Sequence, residues 1–286
     1  MEETCHFVSS RGLMKSCTRY QSRIHSSNPY IQEDILSGVN EGDTVYVCST
    51  AIPMFTQKFL PRLTTHIVLV TGDADEAPNS SCVAIINSPF IVRWFAQNCL
   101  LHHPKVVHLP IGLDYHTMAA GASSWGPQQS PQEQESDIQR IMGTARPDRK
   151  VKCYATFHFA LGRGDRQEAF DNVPAQSVDY EPTPTTRRQT HLKQVEYAFV
   201  LSPFGRGPDC HRTWEALVLG CIPIIKSSQM DPLFEDLPVL LVKQWSDVTQ
   251  ELLESTYIAF KDRSFSYEKL TLAYWRQRLK DASVSI

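Results

Sequence analysis

The sequence predicts an α/β protein built of two halves. Three observations predict it. Short apolar runs that read as strands alternate with stretches of helical spacing, the pattern of parallel sheets covered by helices. A stretch rich in Gly, Ser, Pro and Gln, residues 117–149, interrupts that alternation. After it, residues 197–225 read as strand, polar loop, helix and strand, which is one βαβ unit. The resulting division is an N-terminal Rossmann-like domain over 1–120, a linker or mobile loop over 121–149, a ligand-binding domain over 150–265 and a C-terminal helix within 266–286 that crosses back to brace the first domain.

The elements follow in order. TVYVCS at 44–49 and HIVLVT at 66–71 are buried strands, and GDADEAPNSS after the second is turn-rich. VAII at 83–86 is a short third apolar run. Residues 89–100, PFIVRWFAQNCL, carry helical spacing through Ile91, Trp94, Phe95 and Asn98. KVVHLPI at 105–111 is a fourth strand, followed by GLDYHTM. Within the linker, IQRIM has the pattern of at least one helical turn. KVKCYATF, QVEYAFVL and VLLV are strands of the second half, and 246–260 and 266–280 are helices, the last strongly amphipathic.

The chain has 286 residues, 42% hydrophobic and 21% charged, with a net charge of −3. That composition supports a packed core and offers no broad basic field, so nucleic-acid binding is not expected. None of the eight cysteines forms a CxxC pair, and several lie in apolar runs. Reduced thiols in a cytosolic-type compartment are expected rather than a disulfide framework. The N-terminal residues contain no apolar signal core, and no run approaches the length of a membrane span. A soluble, cytoplasmic protein is the expectation.

The segment SPFGRGPDCHRTWEALVLGCIPII, residues 202–225, holds the chemistry. Asp209 is placed to cap the helix that follows. Trp214, Leu217, Val218 and Cys221 share one face, which should pack on the sheet, and Gly220 ends the helix. A helix start offers unpaired amide protons and partial positive charge, and Gly205 and Gly207 let a ligand approach the backbone. Arg206 and Arg212 add guanidinium forks that suit phosphate oxygens. Glu215, on the first or second turn, is placed to accept from ribose hydroxyls. Together these groups describe a nucleotide-diphosphate site. The third glycine of the dinucleotide fingerprint is absent, since Cys210 stands in its place.

This segment resembles the C-terminal motif of the exostosin-like glycosyltransferases, family 47: Ser-Pro-x-Gly-x-Gly-x-Asp, then Arg-x-Trp-Glu-Ala-Leu, then Gly-x-Ile-Pro. INSPFIVRWFAQN and HLPIGLDYH are similar to segments of soluble members encoded by large algal DNA viruses, the chloroviruses. The resemblance implies the GT-B fold, two Rossmann-like domains facing across a cleft. It implies an inverting enzyme whose C-terminal half, through Ser202 and the residues above, binds a UDP-sugar. Arg212 and the Gly205–Gly207 loop would hold the diphosphate and Glu215 the ribose. The donor sugar expected is xylose and the acceptor a glycan on a viral glycoprotein in the host cytoplasm. No cofactor is expected, because helix and arginines would stabilise the leaving group in place of a metal.

Other residues are candidates for the same reaction. Inversion needs a base to take the acceptor's proton. Asp73, directly after a strand, is the first choice, and Asp114 or His116 of GLDYH the second. Each is equally readable as a residue of a solvated turn. Asp73 and Asp75 also form an Asp-x-Asp pair, which suits a metal-dependent GT-A transferase. A third reading is a binding module without chemistry. Phe157 and His158 are candidates for touching the uracil or the sugar. Arg163, Arg166, Arg187 and Arg188 flank the early strands of the second half, within reach of a phosphate or simply solvated. His102–His103 and Cys210–His211 lack zinc-ligand spacing.

Overall fold

A computed structural model of the protein describes residues 1–78 and 82–284; residues 79–81 of the turn segment and 285–286 at the end of the C-terminal stretch lie outside it. The chain forms two compact units. The N-terminal unit comprises Glu2–Ile111 with Thr271–Ile286, and the central unit comprises Gly112–Leu270 with Met1. The division thus falls at 111/112 and 270/271, whereas composition placed it within 121–149 and at 265/266.

In the N-terminal unit, β1 (Thr44–Cys48), β2 (Ile67–Gly72), β3 (Ile91–Gln97) and β4 (Val106–Leu109) form a parallel sheet in the order β1-β2-β3-β4. Every residue of β1 and β2 is buried, which is why both read as unbroken apolar runs. Two elements exchange types relative to the sequence reading. Residues 91–97, expected to be helical, are β3, and the VAII run lies in a helix, Cys82–Asn87. β3 is half-exposed at Val92 and exposed at Arg93 but wholly buried over Trp94–Gln97, so it lacks strict alternation and its apolar residues match a helical spacing by accident. Trp94, wholly buried on β3, donates its indole N–H to Thr71 Oγ1 at 3.0 Å. The helix Leu272–Val284 completes this unit by burying Leu272, Trp275 and Leu279 on one face. Arg276 Nε ties it to Ser16 Oγ at 2.8 Å, and the Leu272 amide donates to the His6 carbonyl at 2.8 Å.

The central unit holds β5 (Lys150–Ala155), β6 (Val178–Tyr180), β7 (Tyr197–Leu201), β8 (Ile222–Lys226) and β9 (Leu240–Val242), all parallel, in the order β6-β5-β7-β8-β9. From β5 the chain moves outward to β6, then returns to β7 on the other side. β5 and β7 therefore flank the point where strand order reverses, and open α/β sheets bind ligands beyond the carboxyl ends of such strands. Part of the expected linker is regular: Pro131–Met142 is a helix with a capping box of Ser130 and Glu133. Its polar composition had the appearance of a loop, but Ile138 and Ile141 are buried on one face. Among the described residues no helix is long and apolar enough to cross a membrane, and no disulfide is formed.

Candidate functional site

The loops that leave β5 and β7 meet at the switch point. Gly164, in the first loop, has φ +56°, and a side chain there would collide with the carbonyl oxygens of Phe204 and Gly205 in the second. The helix His211–Val218 begins where the second loop ends. Ser202 Oγ and Thr213 Oγ1 lie 2.8 Å apart, both buried, and brace that helix to the end of β7. Asp209 does not cap it. The cap position falls to Cys210, which makes no side-chain capping bond, while Asp209 is buried with both oxygens 2.9 Å from Trp214 Nε1. The carboxylate expected at the ligand thus serves the indole that anchors the helix. Gly220, with φ +72°, follows the helix as expected of a terminating glycine.

Four arginines gather at these loops. Arg166, from the β5 side, lies 3.0 Å through Nη2 from where a side chain on Gly205 would begin, so a larger residue at 205 would press on this guanidinium. Arg212 Nη1 donates to the Pro203 carbonyl at 3.2 Å. Burial and the neighbouring Arg212 bring the Arg166 pKa down to about 10, so it remains charged at neutral pH. Its Nε is buried without a hydrogen-bond partner. Arg163 and Arg206 are exposed on the same loops. Among the described residues none of the four pairs with a carboxylate within salt-bridge distance. Partly buried guanidinium groups held together without counter-charge are costly, and a bound anion removes that cost.

Glu215 sits one turn into the helix within an ionic cluster. Its Oε1 is 3.6 Å from Arg187 Nε and its Oε2 3.5 Å from His191 Nε2. Burial raises the Glu215 pKa, but His191 and Arg187 outweigh it and hold the carboxyl down at about 2. Arg187 also donates through Nη2 to Asp114 Oδ2 at 2.8 Å, and Asp114 Oδ1 lies 3.2 Å from His116 Nδ1. Burial raises the Asp114 pKa as well, yet His211, His116 and Arg187 leave it far below the ordinary carboxyl range. Glu215, expected on the donor side, and Asp114 and His116, expected on the acceptor side, therefore share one cluster in the central unit.

The remaining candidates are dispersed. Phe157 is 1% exposed and packs in the central core, so it is not available to a base or sugar. Its aromatic neighbour His158 is half-buried among Phe159, Phe170 and Tyr180. Gly207 is buried. Arg188 follows Arg187 in the helix Arg187–Gln194 but joins no ion pair among the described residues. Asp73 belongs to the N-terminal unit, where it is buried with φ +53° and accepts from Ser26 Oγ at 2.9 Å, while Asp75 is exposed. Among the described residues no group of three or more His, Cys, Asp or Glu is arranged to hold a metal ion. Two partners escaped the sequence reading: His191 and His211. A signal for the first was present, since Thr186 and Gln189 form a capping box that starts a helix and sets Arg187 and His191 four apart on one face. No protein-family model matches this chain, and no curated protein matches its sequence.

Proposed function

We propose that the chain is an inverting glycosyltransferase of the exostosin-like type and GT-B fold, which takes a UDP-sugar at the switch point of the central unit and passes the sugar to a hydroxyl of a glycan. The observation that carries the reading is the set of arginines without carboxylate partners at the start of the helix His211–Val218. A nucleoside diphosphate supplies two negative groups at the spacing of adjacent phosphates, and guanidinium forks match its oxygens. As the bond from C1 to the diphosphate breaks, charge grows on the β-phosphate oxygen. Arg212, Arg166 and the helix start stabilise that charge in place, so the reading needs no metal. Glu215, kept ionised by His191 and Arg187, accepts from the ribose hydroxyls. The likeness of residues 202–225 to the family 47 motif supports the same assignment. Xylose is the donor sugar we favour, and a viral glycoprotein glycan the acceptor.

The test is calorimetric titration with UDP, UDP-xylose, UDP-glucose and UDP-glucuronate, followed by measurement of UDP release from each. The expected result is UDP binding that Arg212→Ala weakens at least tenfold. A folded protein that binds none of the four overturns the reading.

A further inference from the structure

We infer that His116 takes the proton from the acceptor hydroxyl, with Asp114 and Arg187 as the residues that hold its ring in place; this rests on the glycosyl-transfer reading. The inference stands on a chain of contacts within the central unit. Asp114 Oδ1 faces His116 Nδ1 at 3.2 Å and also accepts from the Thr117 amide at 3.0 Å. Asp114 Oδ2 is fixed by Arg187 Nη2 at 2.8 Å, and Arg187 donates through Nη1 to the Asp114 carbonyl and to Gln134 Oε1. The Asp114 and Arg187 side chains are each 11% exposed, so the pair is held away from bulk water.

The loop carrying these groups is fastened to the donor helix. His211, the first residue of that helix, donates through Nδ1 to the Gly112 carbonyl at 2.7 Å. The rings of His116 and His211 have centroids 6.0 Å apart. Arg212 is the next residue of the same helix, so the histidine that meets His116 and the guanidinium that would carry the leaving diphosphate belong to one helical turn. Among the described residues, Asp114 on its own loop and His211 on the donor helix face His116, Arg187 acts on it through Asp114, and Glu215 and His191 adjoin Arg187 on its other side.

The chemistry separates the two candidates of this loop. Asp114 is so stabilised as an anion that it is a poor proton acceptor, but an ionised carboxylate is what an imidazole needs beside it. It keeps the ring proton on Nδ1 and leaves Nε2 as the accepting nitrogen. In the step, the acceptor O–H proton passes to Nε2 and the acceptor oxygen bonds to C1. The bond from C1 to the β-phosphate oxygen breaks, and its electron pair leaves with UDP. The imidazolium formed is stabilised by Asp114 and later loses its proton to solvent.

The experiment has an arm that does not depend on turnover. Histidine titrations followed by NMR should show the His116 pKa falling by about one unit or more in Asp114→Asn, since one unit is about 1.4 kcal/mol of lost charge stabilisation. An unmoved His116 titration overturns the inference. In the second arm, the donor with the fastest UDP release is used. His116→Gln should lower kcat by about 10²–10⁴-fold and leave the UDP dissociation constant unchanged. Arg187→Lys and Asp114→Asn should shift the acid limb of kcat/KM to lower pH. Near-full turnover in His116→Gln overturns the inference while leaving the transferase reading intact. Failure of the wild-type protein to bind UDP overturns the transferase reading instead.

Discussion

The carboxyl edges of the two sheets carry similar residues and solve opposite problems. At the N-terminal sheet most of the polar groups serve one another, although Arg11 Nε and the Tyr46 hydroxyl are buried without a hydrogen-bond partner among the described residues. Gln97 Oε1 accepts from the Asp73 amide and from Ser10 Oγ, both at 3.0 Å, and its Nε2 donates to the Pro110 carbonyl at 2.7 Å. Gly72 is required there, because a side chain would strike Gln97 Oε1 and the Tyr46 hydroxyl. Asp73 has Arg11 at 3.8 Å as its counter-charge. At the central sheet, Arg166 and Arg212 feel each other's charge, and among the described residues neither has a carboxylate within salt-bridge distance. An edge that neutralises itself holds a fold together. An edge left with net charge costs some stability in the empty protein, and under the proposed function that charge is what receives the diphosphate.

The largest expected effect tests whether Glu215 belongs to the self-neutralised kind. Its carboxyl lies at about 2 in the folded protein against 4.5 as the ordinary value, which corresponds to about 3 kcal/mol of stability. Because the folded value is the lower one, that stability is whole above about pH 4.5 and drains away as the pH falls toward 2. Glu215→Ala also leaves His191 without its carboxylate and Arg187 with Asp114 alone, so urea unfolding at pH 7 should show a loss of about 3 kcal/mol or more. A loss below 1 kcal/mol would mean that the cluster contributes little.

The arginine edge should behave in reverse. Arg166→Met removes one of two like charges, so thermal unfolding without ligand should occur at the same temperature or higher. The same variant should lose about 1.5–3 kcal/mol of UDP affinity, the usual worth of a charge-assisted hydrogen bond. A variant that is less stable and binds UDP normally would remove Arg166 from the site. Gly164→Ala should weaken UDP binding and cost about 1–2 kcal/mol of stability, since it strains the backbone and separates the two loops.

The smallest effect is expected at the other edge. Asp73→Asn removes the counter-charge of Arg11 but leaves UDP affinity within twofold of wild type. If this variant instead loses turnover by about 10²–10⁴-fold with UDP binding intact, the proton acceptor lies in the N-terminal unit and the contrast between the edges must be redrawn.

Legibility in the sequence followed the range of the interactions. The βαβ unit around the helix His211–Val218 was readable because its strand, glycines and apolar face lie within about thirty residues and obey local rules. β3 was misread because continuous burial over Trp94–Gln97, after an exposed Arg93, erases the alternation that marks a strand. Phe157 was placed at a ligand because it follows a strand, yet which side of that loop faces the core is decided by packing. The Asp114–Arg187–Glu215 chain joins residues far apart in sequence, and no spacing rule relates them. A sequence displays the charges; which of them meet and cancel is a tertiary fact.

The helix Leu272–Val284 has a consequence for how the protein is made. It belongs to the unit begun by residues 2–111, but ribosomes deliver it only after the whole of 112–270. The central unit, continuous but for Met1, which is made first, has all of its residues as soon as Leu270 has emerged. The earlier unit must wait, at roughly 5–20 residues per second, on the order of 10–30 s for Leu272, Trp275 and Leu279 to cover its open face. During that interval its apolar strands are exposed to aggregation and to chaperones, so the order of completion runs from the middle of the chain to its beginning.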